Sequence, residues 1–298
     1  MNGRSYSQII LTAFIMLAVA CKPVAETSKQ NWQSIFNGKD LSGWDIKIAK
    51  RQLNENYNQT FVVEDSMVRI GYDDYQKFDD HFGHLYYQTP FSYYKLRFQY
   101  RFVGNHMADA PGYADRNSGI MLHSQSAASV ELDQTFPVSL EMQLMSGNGK
   151  DPQATGNLCT PGTEVYINSK PLEGHCINAV SKTYNKDVWV NAEIEVYGDS
   201  VIRHIIETDT VLTYTKPTIG GGFVGGTYNW TVAHISDSLQ WISKAGTALK
   251  EGYIAFQAES QPIDFKNIKL LILIGCMDNR AKNYKDYYIK ADNTKCRY

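Results

Sequence analysis

The chain has 298 residues, 12% of them aromatic, with 29 Lys and Arg against 31 Asp and Glu and a formal net charge of -2. This length sustains a full core, and sandwich folds of this size often form one domain. A nearly balanced charge without basic blocks excludes nucleic acid as an expected partner. The 20 tyrosines and 5 tryptophans suit β-strands and also the faces of sugar rings.

Residues 1–21 read as an export signal. Arg4 supplies the positive start, and Ile9 to Ala20 is an apolar run too short to span a bilayer comfortably. The stretch Leu17-Ala18-Val19-Ala20-Cys21 resembles a bacterial lipobox, although Ala18 stands where leucine is more usual. The resemblance implies a lipidated Cys21 and a chain anchored to a bacterial membrane, periplasmic or at the cell surface. The other reading is a plain secreted protein in which Cys21 is buried or unpaired. Residues 22–31 are polar and helix-poor, as expected of a tether.

From Trp32 onward, short strand candidates alternate with turn residues. They include FVVEDSMVRI (61–70), YYKLRFQYRF (93–102), NSGIMLHS (117–124) and SLEMQLM (139–145). WVNAEIEVYG (189–198), SVIRHIIETDTVLTYT (200–215) and YIAFQAESQPIDFKNI (253–268) follow. Leu96, Phe98, Tyr100 and Phe102 alternate with Arg97, Gln99 and Arg101 at the two-residue period of a strand. No long stretch carries a capped helical period. The expected fold is all-β, an antiparallel two-sheet jelly-roll sandwich spanning 32–274.

The same period assigns faces. Glu141 and Gln143 point away from Leu140, Met142 and Leu144; Asn117 shares a face with His123, and Gln257 with Glu259. A sheet with one apolar side and a second side of Asn, His, Glu and Gln suits a hydroxyl-rich ligand. His81, His84, His106, His175 and His234 fall in loop-like segments and read as surface residues.

Two insertions interrupt the strands. Ser146 to Ser181 is rich in Gly and Pro and encloses Cys159 and Cys176. Gly220 to Gly226 mimics a phosphate loop, but no Lys-Ser/Thr follows and no βαβ unit surrounds it, so that reading fails. With Cys21 set aside, four cysteines remain in an oxidising compartment. Nearest-neighbour pairing joins Cys159 to Cys176 and Cys276 to Cys296. A zinc site is the rival, but neither pair has CxxC spacing.

Residues 275–298 form a polar module bounded by Cys276 and Cys296. They resemble a small GCxDxxAxNY-type module found near the C-termini of exported bacterial proteins, through Gly275, Cys276, Asp278, Ala281, Asn283 and Tyr284. Asp278, Asn283, Asp286 and Asp292 offer oxygens to calcium, and a metal-free disulfide loop is the alternative.

FNGKDLSGW (36–44), VVEDSMVRI, NSGIMLHS, LEMQLM and GYIAFQAESQPIDFKNIKL together resemble the 3-keto-disaccharide hydrolase domain family from about Trp32 to Leu273. The resemblance implies a concanavalin A-like or laminin-G-like jelly roll and cleavage of glycosides oxidised to a ketone at C3. Two positions depart from the family pattern. Ser146 stands where an aspartate is usual, and Glu207-Thr208-Asp209 replaces an Asn-Gly turn.

A C3 ketone acidifies the C2 hydrogen, so a base forms an enolate that expels the C1 substituent, and water then adds. The reaction needs one base, an enolate stabiliser and an acid. It does not need the carboxylate pair on opposite ring faces used by ordinary glycosidases. The acid-base candidates are Glu141, His123 and Glu259. Asn117, Gln143, Gln257, Arg97, Arg101 and His204 are candidates for substrate contacts. A divalent metal held by Glu141, His123 and Glu259 also suits this chemistry. The competing readings are a non-catalytic carbohydrate-binding lipoprotein on the same scaffold and an adhesive or structural lipoprotein.

Overall fold

A computed structural model describes residues 28–224 and 229–298. The expected export signal, Cys21 and the first part of the tether lie outside the described residues, as does the end of the second glycine-rich insertion. Among the described residues the fold is two large antiparallel sheets, one of ten strands and one of seven. Helix is limited to Leu239–Ile242 and short 3-10 turns. The all-β sandwich is therefore present.

The seven-stranded sheet carries the site. In chain order its strands are β1 (Trp44–Ile48), β2 (Gly83–Tyr87), β3 (Asn117–Ser124), β4 (Leu140–Met145), β5 (Asn157–Cys159), β6 (Cys176–Ile177) and β7 (Tyr253–Ala258). Their order across the sheet is β6-β5-β4-β3-β7-β2-β1. Its inner face supplies Ile120, Leu122, Leu140, Met142 and Leu144 to the main core, all fully buried. Each such side chain contributes about 1.5–3 kcal/mol on burial, so the register that points Glu141 and Gln143 outward is firmly fixed.

The ten-stranded sheet closes the sandwich from the other side. In its strand Tyr93–Phe102 the alternation holds: Leu96, Phe98, Tyr100 and Phe102 are buried while Arg97 is exposed. On its outer face Asp264 is fully buried and accepts hydrogen bonds from Arg69 at 3.0 Å and Arg101 at 2.9 Å. Two cations on one buried carboxylate satisfy a charge that would be costly alone. The departure at Glu207 is absorbed by a two-residue hairpin turn in which Glu207 takes a positive φ of 55°. Its carboxylate accepts the Asn191 backbone N–H at 3.0 Å.

Both expected disulfides are present, Cys159–Cys176 and Cys276–Cys296. In the C-terminal module Ile274–Gly275 pairs in parallel with Lys290–Ala291. The four side chains expected as calcium ligands do not converge. Asp278 holds Arg280 and Tyr298, the Asn283 amide holds Lys295 O and Arg297 N, Asp286 accepts from Ser28 N, and Asp292 holds Lys295. Among the described residues no group of three metal-ligating His, Cys, Asp or Glu side chains occurs.

Candidate functional site

The outer face of the seven-stranded sheet is built in rows. On β3 and β4, Met121 lies opposite Glu141 and Gly119 opposite Gln143. Opposed residues share a face, so Asn117, Gly119, Glu141 and Gln143 project together. On the other flank of β3, Phe256 opposes Ile120, which sets Gln257 beside Gly119. His84 opposes Gln257 and Lys47 opposes His84. One row therefore crosses the sheet as Lys47, His84, Gln257, Gly119, Gln143 and Asn157. Asn157 Nδ2 donates to Gln143 Oε1 at 3.1 Å and fixes that amide.

Gly119 has a specific task in this row. A Cβ added there would meet Glu141 at 2.7 Å from Cγ and 2.8 Å from Cδ, with Oε1 closer still. The Glu141 carboxyl therefore lies across the space that only a glycine leaves open. This explains why a glycine stands inside the strand NSGIMLHS.

Glu259 follows β7 directly. The chain behind it is pinned: Ser260 N–H donates to the Tyr72 hydroxyl at 2.8 Å, and Gln261 Nε2 donates to Val103 O at 2.6 Å. Glu141, Glu259, Asn117, Gln143 and Tyr113 are among the residues that line a cleft of about 390 Å³. Glu141 is 6% and Glu259 3% exposed. Among the described residues neither carboxyl meets a cation or a hydrogen-bond donor. Burial pushes both above the usual carboxylate range, and the charge of Glu141 raises Glu259 further. The two titrate as a pair, and loss of the first proton makes the second harder to lose.

Around the carboxyls sit polar atoms without protein partners. Both amide atoms of fully buried Gln257, the Oδ1 of Asn117 and the Nε2 of His84 are unmatched. Burial lowers His84 to about 3, so its ring is neutral. Buried polar groups are normally paired; a concentration of unpaired ones beside a cleft marks a surface prepared for a polar ligand.

The site brings together Glu141, Glu259, Asn117 and Gln143, with Gln257 adjoining them, and leaves out the other expected members. His123 does not share the face of Asn117. Tyr253 opposes Ser124 while Ala255 opposes Met121, a bulge in which His123 takes a φ of 46°. The extra residue breaks the alternation, and His123 Nε2 makes a 3.0 Å hydrogen bond with Gly198 O instead. The expected trio of Glu141, His123 and Glu259 as metal ligands is thus not assembled. His204 is locked between Gly156 O at 2.9 Å and the Tyr214 hydroxyl at 3.0 Å. Arg97 pairs with Glu193 and lies 4.1 Å from the Trp32 ring centre, on the opposite sheet. Arg101 is committed to Asp264. An Arg97→Ala variant should accordingly keep kcat/KM within about twofold of the parent in a steady-state assay, since surface changes away from such a site act weakly.

The surface reading of the histidines also needs correction. His81 and His84 are buried at 4% and 2% exposure, and His81 stacks on Tyr57. His106 and His175 are half-buried, and only His234 of the five is exposed. His175 and Tyr113 are the cleft-lining residues that strand alternation did not single out, and it also missed His84, one strand beyond Gln257 in the row. The signal for His84 was present in the alternation of His84 and Tyr86 with Leu85. Ser146 is buried, with its backbone N–H donating to Arg116 O, and lends no acid to the cleft.

Comparison with solved structures finds a Parabacteroides distasonis protein provisionally classed as a glycosyl hydrolase, 17% identical, covering 81% of this chain and 94% of that one at a TM-score of 0.47. A carbohydrate-binding module from Bacillus subtilis is 11% identical, covering 77% of this chain and 95% of that one at a TM-score of 0.43. Comparison with curated protein sequences gives no match. A family model matches residues 31–271, nearly the whole sandwich and the cleft with it, and the chain belongs to the 3-keto-alpha-glucoside-1,2-lyase-like domain family.

Proposed function

We propose that this protein cleaves 3-keto-glycosides by elimination and hydration at the Glu141–Glu259 cleft. The observation that carries the reading is the pair of buried carboxyls without a cation. Once the first proton leaves such a pair, its charge holds the second on the partner, which provides a base and an acid in one place.

Glu141, ionised, removes the proton from C2, and the C–H electron pair moves into a C2–C3 enolate. The Gln257 amide N–H, with the neutral His84 ring beside it, donates to the enolate oxygen as charge develops there. When the C3 carbonyl re-forms, a C1–C2 double bond forms and the C1–O bond breaks. The departing oxygen takes the proton of Glu259. Water then adds at C1, giving its proton to Glu259, and Glu141 returns its proton to C2. The 3-keto sugar and the free alcohol result, with no net oxidation. Asn117 and Gln143 hold sugar hydroxyls in this scheme.

The family assignment supports the ketone requirement. Purified protein should release the alcohol from a 3-keto-glycoside, followed by chromatography, and leave the unoxidised glycoside intact. Inactivity on both, with sugar binding retained, would replace this reading with a carbohydrate-binding one. The proposal includes export and anchoring through Cys21, a setting in which the two disulfides would form and persist.

A further inference from the structure

The lining of the cleft has two chemistries. Besides the carboxyls and amides, the lining includes Phe136, Pro161, Phe223 and Val232 with the Cys159–Cys176 disulfide, whose Cys159 neighbours Glu141 on the next strand; the polar member of this group is His175. The wall is the outer side of a separate apolar cluster of Val138, Ile219, Phe223, Trp230, Ala233 and Ile235, against which Phe136 packs. It rests on its own small core rather than on a loop without support. At the cleft Val232 is 46% exposed.

We infer that this wall is the subsite for the leaving group, and that it selects an apolar aglycone over a second sugar. The inference rests on the reaction proposed above. Cys159 is the cross-strand neighbour of Glu141 and shares its face, so a sugar ring held over Glu141 has its neighbour against the disulfide. A second sugar there would lose water from several hydroxyls and find one imidazole in exchange. Burying hydroxyls without partners is costly. An alkyl or aryl group would instead remove the exposed branched and aromatic carbons of the wall from water, which is favourable in proportion to area. His175 is the polar side chain this part of the lining offers to an oxygen at the join.

The test uses Glu141→Gln protein, so that binding is read without turnover. Calorimetric titration compares hexyl 3-keto-glucoside with a 3-keto-disaccharide carrying the same oxidised ring. The hexyl ligand should bind about tenfold more tightly or better, since each added methylene in an apolar pocket is worth severalfold or more. Adding Val232→Asn, at a position half open to solvent, or Phe223→Ala should cut that preference by about fivefold or more. Equal binding of the two ligands, or a preference that neither wall variant changes, would overturn the inference. Wild-type turnover of both ketones is measured separately: cleavage without an apolar preference leaves the proposed reaction standing, whereas an apolar preference without cleavage removes the reaction and keeps the subsite.

Discussion

Replacing Glu141 with glutamine should lower kcat/KM on a 3-keto-glycoside by about 10²–10⁴-fold, the range expected for loss of one positioned proton-transfer group. The same variant should be more stable than the parent in alkaline solution. The sign follows from burial. Glu141 titrates higher in the folded than in the unfolded chain, so above the unfolded carboxylate range the folded state retains a proton that the unfolded state has lost. Stability then falls as pH rises through the folded value. Glutamine removes that penalty, so the two Tm curves should coincide near pH 4 and diverge above pH 6. A glutamine variant that keeps full rate would remove Glu141 from the mechanism. The parent rate should depend on pH as a bell whose limbs belong to the Glu141–Glu259 pair and not to either residue alone.

A single methyl at Gly119 should be nearly as damaging to activity. The added Cβ of Gly119→Ala occupies the space across which the Glu141 side chain lies. Gly119 needs no unusual backbone angle, so the strand itself tolerates alanine. The carboxyl has to swing away from the Gln257 side, and a displacement of about 1 Å in a catalytic group costs about 10²-fold. The expected result is a fall in kcat with far-ultraviolet circular dichroism unchanged. Loss of stability on the scale of core overpacking, about 1–3 kcal/mol, accompanies it. Normal turnover by Gly119→Ala would show that the Glu141 position described here is not the working one.

Much of the sandwich was legible because strand alternation is a local property. Leu140, Met142 and Leu144 face the core and Glu141 and Gln143 the cleft, as the two-residue period requires. The period fails where the backbone inserts a residue, and the bulge at His123 turned the expected face over. It also says nothing about which sheet a strand joins. Arg97 and Glu141 sit on equally regular alternating strands, yet their sheets lie back to back, because long-range pairing decides that question. His84 was hidden for a related reason: its strand is five residues long and follows the turn-rich segment around Asp79 and Asp80. The role of Gly119 became visible only with the Glu141 side chain in place.

The short strand β6 has a consequence beyond the cleft. It is the last strand on its side of the seven-stranded sheet and is only two residues long, with Cys176 directly opposite Cys159. So brief an edge gains little from its own ladder, and the sulfur cross-link holds it in place. Beside it in the sheet lies β5, whose backbone would otherwise offer open N–H and C=O groups to another chain. The same covalent bond that walls the cleft therefore also guards the sheet against self-association, so a reducing environment would expose the molecule to aggregation at the margin where it binds its ligand.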